Sequence, residues 1–304
     1  MKIVLGENRY GKAENRLVRI TRDGDTHHIL DLNVTLQLTG DFSDTHITGS
    51  NAKVIATDTQ KNTIFALSQK HPAMEPEAFG MIVGEHFLTQ QAHVSRVEVR
   101  LEQFLWKRIT VKGQPHPRAF EKDASIKRIA RVVLERGVGD KITCYVSSGL
   151  EDLVLLKTSD SEFTGFLRDE YTTLPETSDR IMATQVSAKW SHDSHDFSKI
   201  KAKDFAKSFT QASEKLMATF ADHYSLSLQQ TLFEMGKEII TEQPDISAVR
   251  LSLPNKHHFL VDLSIFGQKN ENEVFFAADR PYGLIEAVIT RDDASDAGYN
   301  WPAW

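Results

Sequence analysis

Alternation of apolar and polar positions is the first regularity along this chain. Between His28 and Leu38, Leu30, Leu32, Val34, Leu36 and Leu38 alternate with Asp31, Asn33, Thr35 and Gln37, which predicts a strand with one dry face and one wet face. Leu17 to Thr21 reads as its hairpin partner. Two helical segments follow, 59–69 and 75–90, the second carrying Pro76 where a first helical turn tolerates it. Alternation then returns at Val97, Val99 and Leu101, and a further strand candidate lies at Ile126 to Leu134, although Ala130-Arg131-Val132-Val133-Leu134 also fits a helix.

The same order recurs with longer helices. Residues 141–146 and 184–190 read as extended, 197–224 and 227–242 as helical, and 249–265 and 274–290 as extended again. No repeat of individual residues accompanies this shared plan. Antiparallel sheets with helices gathered on one face predict the α+β class. The boundary falls at Gly137-Val138-Gly139, giving domains 1–138 and 139–304. That Gly-x-Gly is a turn, since no phosphate-binding helix follows it as a dinucleotide fingerprint requires.

Composition narrows the class. The 304 residues carry 36 Lys plus Arg against 42 Asp plus Glu, a formal charge of −6 without a long run of either sign, which argues against a nucleic-acid surface. The single cysteine, Cys144, cannot form an internal disulfide and favours a reducing compartment. The apolar run Ile3-Val4-Leu5 is too short for a signal peptide, and no run approaches membrane-spanning length. The C-terminal Trp301-Pro302-Ala303-Trp304 is no peroxisomal address, so the expected location is cytoplasmic.

Four clusters carry candidate chemistry. Leu253-Pro254-Asn255-Lys256-His257-His258-Phe259 puts an amide, an ammonium and two imidazoles between strand-like runs. It is either a solvated turn fixed by Pro254 or a place where Asn255 and His257, two apart on an extended segment, face one ligand. Tyr10-Gly11-Lys12 precedes a strand. Ala56-Thr57-Asp58-Thr59 opens the first helix, with Thr57 or Asp58 as the expected N-cap and free N–H groups beside it. The longest cluster, residues 163–174 with Glu176 to Arg180, supplies aromatic rings for stacking and guanidinium groups for two-pronged edge contacts to a flat heterocycle. Gln229 offers donors and an acceptor for a second edge.

Taken together, YGK at 10–12, ATDT at 56–59, FTGFLRDEYTTL at 163–174, TSDRI at 177–181, SLQQT at 227–231 and LPNKHHF at 253–259 resemble the urate oxidase family, in the family's order and over nearly the whole chain. The long central segment and LPNKHHF are specific; YGK alone is weak. Two departures stand out: Thr164 occupies a position where the family often has a bulkier aromatic residue, and the chain after Arg291 matches poorly.

The resemblance implies tandem T-fold domains in a homotetramer whose stacked barrels enclose a tunnel, with active sites at subunit interfaces. It implies that Phe163 stacks on urate, that Arg180 clamps one edge, that Gln229 grips the other, and that Leu228 adds a backbone contact. Thr57 and the Asp58 backbone of a neighbouring subunit would meet the five-membered ring. Lys12 with Thr57 would form the base system, with His257 in a proton relay behind Lys12. Asn255 would hold dioxygen or water over the ring, with Ile285 helping to cover that pocket.

The implied reaction needs no cofactor. Dioxygen chemistry usually calls for haem, flavin or metal, yet the sequence has no ferredoxin-like cysteine set and no Rossmann fingerprint, and adjacent His257 and His258 on a strand would point to opposite faces. Urate itself would then supply the electrons. Two other readings fit a T-fold: an enzyme acting on a pterin or another purine, and a non-catalytic heterocycle carrier, against which Lys12, Thr57 and His257 speak.

Overall fold

In the computed structural model, residues 1–72, 74–278 and 280–301 are described; the last three residues of the Trp301 tail and Asp279, inside the predicted segment 274–290, lie outside them. The first strands, β1 (Tyr10–Asp23) and β2 (Thr26–Gly40), are antiparallel. Gly24 turns the chain between them at φ 55°, a conformation that favours glycine. The predicted two-faced pattern is realised in β2 except at Asp31: Leu32, Val34, Leu36 and Leu38 are fully buried and Asn33, Thr35 and Gln37 keep partial exposure, but Asp31, expected on the wet face, is buried and accepts from Arg16 and Trp106. Each buried apolar side chain here contributes roughly 1.5–3 kcal/mol by leaving water.

Helices α1 (Ser43–Ile47), α2 (Thr57–Lys70) and α3 (Pro76–Gln90) follow, then β3 (Val94–Val111), β4 (Gln114–Arg136) and β5 (Ile142–Lys157). Pro76 occupies the first turn of α3, as expected. The ambiguous Ile126–Leu134 segment is strand, because β4 pairs with β3 through Val97↔Leu134, Val99↔Val132 and Leu101↔Ala130. Helix α3 lies close on that ladder. A Cβ at Gly80 would fall 2.8 Å from Leu101 Cδ1 and Val132 Cγ2, and one at Gly84 would fall 2.7 Å from Leu134 Cδ1.

The remaining elements are β6 (Met182–His192), α4 (Phe197–Lys201), α5 (Phe205–Asp222), α6 (Leu228–Glu242), β7 (Ile246–Asn255), β8 (His258–Leu260), β9 (Phe275–Ala277) and β10 (Gly283–Thr290). The single predicted helix 197–224 is thus two. Asp196 caps α4 by accepting from the Ser198 and Lys199 amides at 2.9 and 3.1 Å, and Asp204 accepts from the Lys207 amide at 2.9 Å at the start of α5; two short polar side chains so close together begin two helices. The predicted strand 249–265 begins three residues earlier, stops at Asn255 and resumes only as β8; the chain then turns through a short helical stretch at Ser264–Phe266.

The chain divides into two units. The first comprises residues 1–149, 190–209 and the segment from Ala294; the second comprises 150–189 and 210–293. In the first, the strand order is β1-β2-β3-β4-β5, with α3 on β3 and β4 and α2 beside β1. Its core also holds a buried ion pair. Glu77 on α3 accepts from Arg128 Nη2 at 2.8 Å, and Arg128 donates to the Phe205 carbonyl at 3.2 Å. Nearby, Ser148 Oγ and His192 Nε2 are 3.0 Å apart, both buried.

In the second unit the order is β5-β6-β7-β10, with β8 and β9 forming a separate antiparallel ladder. Helix α6 lies on β7 and β10. Here too a glycine sets the distance: a Cβ at Gly236 would meet Ile289 atoms at 2.8–3.0 Å.

Candidate active site

The stretch from Phe163 to Arg180 is tied down at its base. Phe163 and Thr177 exchange both backbone hydrogen bonds, at 2.8 and 3.2 Å, and the Arg180 amide donates to the Ser161 carbonyl at 2.9 Å. Gly165, at φ 67°, reverses the chain, and its amide donates to the Glu176 carboxylate at 3.2 Å. These bonds fix where Phe163 and Arg180 emerge. The Arg180 guanidinium lies over the Phe163 ring, 5.4 Å from its centroid, and Arg180 Nε is buried without a hydrogen-bond partner.

On the other side, β7 ends at Asn255, opposite Gly283, with Leu253 opposite Ile285. The Lys256 amide donates to the Ala183 carbonyl at 2.8 Å, and the His257 carbonyl accepts from Ala278 at 2.9 Å. The chain is therefore held on both sides where it leaves the strand. Phe163, Arg180, Asn255 and His257 line one cavity of about 450 Å³ in this unit. Asn255 and His257 thus border the same space, although the strand on which the sequence placed both ends at Asn255. His258 lines the same cavity, although the sequence expects it on the face opposite His257; the strand breaks at Lys256 and His257 between β7 and β8, so the alternation that expectation assumed does not run through the pair. Thr177 and Asp179 also contribute to the wall, as do Asn272 and Phe275, for which the sequence carries no signal.

The electrostatics suit an electron-rich guest. Burial holds the Arg180 pKa below its ordinary value. Burial, then the charges of Arg180 and His258, depress that of His257, which keeps its imidazole neutral at neutral pH.

Three expected residues of the same unit do not line the cavity. Leu228 and Gln229 open α6, where Ser227 accepts from the Gln230 amide at 3.2 Å and Gln230 reaches back to the Leu226 amide at 3.0 Å. This reciprocal cap assigns Gln230 a structural task, buries Leu228 and leaves the Gln229 side chain exposed. Ile285 sits on β10, partly buried.

In the first unit the other two clusters meet. The Tyr10 hydroxyl accepts from the Ile55 amide at 2.9 Å, joining YGK to the residues ahead of ATDT. Gly11 is required by space, since a Cβ there would fall 1.8 Å from the Leu36 carbonyl oxygen. Immediately after Lys12 the ladder slips: Lys12 faces Leu36 but Asn15 faces Val34, so Ala13 and Glu14 oppose Thr35 alone. Such a bulge re-aims the adjoining side chains; Glu14 takes φ 52°, and its amide donates to Thr35 Oγ1 at 3.0 Å.

The expected cap of α2 is corrected. Ala56 holds the N-cap position without a side-chain hydrogen bond, and the helix starts at Thr57. Asp58 instead bonds Lys61 and Asn62, and its pKa is lowered by Lys61 first and by Lys12 more weakly. Thr57 and Asp58 are exposed, at the turn where helical N–H groups have no internal partner. Among the described residues, no group of three or more His, Cys, Asp or Glu is placed to hold a metal ion, and no helix is long and apolar enough to cross a membrane.

Comparison with known proteins agrees with this geometry. The uricase family model matches residues 8–133 and 146–286, one segment for each half of the repeated plan. A uricase from Arthrobacter globiformis is 48% identical over 291 residues, covering 96% of this chain and 91% of that protein. One from Dictyostelium discoideum is 39% identical over 288 residues, covering 94% and 96%. The crystal structure of the Arthrobacter globiformis uricase superposes with a TM-score of 0.89 at 46% identity, covering 97% of each chain. The urate oxidase of Bacillus sp. TB-90, at 24% identity and a TM-score of 0.80 over 93% of this chain and 100% of that one, shares the fold. With the family's segments spanning most of its length and its relatives alike from end to end, the chain belongs to the uricase family.

Proposed function

We propose that urate is held in the cavity beside Phe163 and Arg180, and that the remaining site residues act on it there. The chain oxidises urate, as its family membership establishes. One observation carries the placement: an aromatic ring and a partly buried guanidinium, its buried Nε unpartnered, lie 5.4 Å apart on one cavity wall. A planar anion satisfies both, stacking on Phe163 and accepting paired hydrogen bonds from Arg180. Gln229, exposed at the start of α6 outside the cavity wall, reaches the opposite edge once urate is bound, and Leu228 beside it offers a backbone contact. Asn255 holds dioxygen or water over the ring, Ile285 helps to cover it, and His257 relays protons.

Thr57 and the Asp58 backbone come from a neighbouring subunit of a homotetramer of T-fold domains, 1–138 and 139–304, and Lys12 acts with Thr57. In support of this, Thr57 and Asp58 are exposed on a helix start, and the lone buried Cys144 suits a cytoplasmic protein. Lys12 with Thr57 removes a proton, the resulting urate dianion passes an electron to O₂, and the radicals combine as a hydroperoxide. Water then displaces peroxide at the same carbon. Two electrons leave urate and two enter O₂, so urate, O₂ and water give 5-hydroxyisourate and hydrogen peroxide without a cofactor.

The test is metal-depleted protein mixed with urate in air, following urate absorbance and peroxide release together. Equal loss of urate and gain of peroxide is expected; activity that returns only when a metal ion or flavin is restored would contradict the cofactor-free reaction.

A further inference from the structure

We propose that Phe166 is a positioning residue for urate, which backs the Phe163 ring and fixes the plane on which the substrate stacks. This rests on the placement of urate against Phe163. The two rings are 4.9 Å apart and inclined by 11°, a nearly parallel stack. Phe163 borders the cavity and Phe166 does not, so the support comes from outside the space that the substrate fills. The Arg168 guanidinium covers the Phe166 ring at 5.2 Å, within the range of a cation–π contact.

The backbone explains why residues three apart can stack in a loop. Gly165 takes φ 67° between them, its amide is held by the Glu176 carboxylate, and Phe163 is paired to Thr177 on both sides of its peptide group. Both rings keep partial exposure, so neither is fixed by a surrounding core. A half-exposed aromatic ring turns broadly about its last torsion. Holding it parallel to its target beforehand removes an ordering cost that binding would otherwise meet. The stack therefore acts on affinity. It leaves the proton-transfer groups Lys12, Thr57 and His257 untouched.

Three variants separate the possibilities, each measured for equilibrium binding of urate without oxygen, for kcat and KM in air, and for thermal unfolding. Phe166→Leu keeps apolar bulk but loses the stack: urate binding and KM should worsen about threefold to tenfold, with kcat and the unfolding midpoint unchanged. Phe166→Tyr keeps the ring and should bind like the parent. Phe163→Ala should bind urate more weakly still. If Phe166→Leu binds like the parent while Phe163→Ala does not, Phe166 has no positioning role and the urate site stands. If Phe163→Ala binds like the parent, urate does not stack there and both readings fall. If Phe166→Leu unfolds earlier and Phe166→Tyr fails to restore affinity, Phe166 is structural only.

Discussion

Lys12 owes its setting to its neighbours more than to itself. Tyr10 ties the strand to Ile55, Gly11 lets β1 lie against the Leu36 carbonyl, and the slip at Ala13-Glu14 follows directly. In the sequence only the motif was legible; the slip was not, because an extra residue in one strand shows only against its partner. Lys12→Met should keep the fold and lower turnover by roughly 10²- to 10⁴-fold, the usual contribution of a general base. A variant with the parent's rate and pH profile would remove Lys12 from the mechanism. His257 supplies a second check. Its pKa is depressed by burial and by Arg180, so the imidazole stays neutral as the pH falls through the ordinary histidine value of 6.5. The acid-side fall of kcat/KM that depends on it should lie below that value, and His257→Asn should abolish this limb while lowering the rate. That Asn255 and His257 would border one space was legible in the motif; the break in the strand after Asn255 was not, because the apolar pattern resumes at Phe259 as if the strand ran on.

At the scale of elements, both units dock a helix on strands through a glycine. Gly80 and Gly84 do so under α3, and Gly236 under α6. At Gly236 the obstructing atoms include Ile289 Cβ at 3.0 Å, which cannot swing aside as a side-chain tip can. Gly236→Ala gains up to about 1 kcal/mol of helix propensity but overpacks at a cost of roughly 1–3 kcal/mol. A net loss of up to about 2 kcal/mol should appear as a lower denaturant midpoint with an unchanged slope; a stabilised variant would show that the contact yields. Strands were the most legible elements, because β2 is dry on one face from Leu30 to Leu38. Two features escaped. The Asp196 and Asp204 caps split a helix whose apolar spacing runs on unbroken, and Ala56 starts α2 without a side-chain cap, although Thr57 and Asp58 are the better cap formers.

Across the whole molecule, the two units interleave along the chain, and Trp190 to Phe209 returns to the first. Alternation tells which face of a strand is dry, not which strand lies beside it, so this return could not be read from the sequence. The returning segment brings His192 to Ser148 and the Phe205 carbonyl to Arg128. Burial, with Lys203 and Arg128 nearby, holds the His192 pKa well below 6.5. The unfolded chain then binds the proton more readily than the fold does between that low value and about 6.5. Stability is lost as the pH drops through this window, with a slope approaching about 1.4 kcal/mol per pH unit for one group. The raised pKa of buried Glu77 acts in the opposite sense, so a variant isolates the histidine: His192→Gln should unfold with a shallower dependence on pH between about 5 and 6.5. Parallel curves for parent and variant would assign the acid sensitivity elsewhere.

The slip beside Lys12 also constrains how this chain can change its length. Removing Ala13 or Glu14 would restore an unbroken ladder, and Asn15 to Asp23 would keep their partners. Tyr10, Gly11 and Lys12 would keep theirs as well, opposite Leu38, Gln37 and Leu36. A one-residue deletion there would give a protein whose sheet assembles in register and whose amine has lost the kink that aims it.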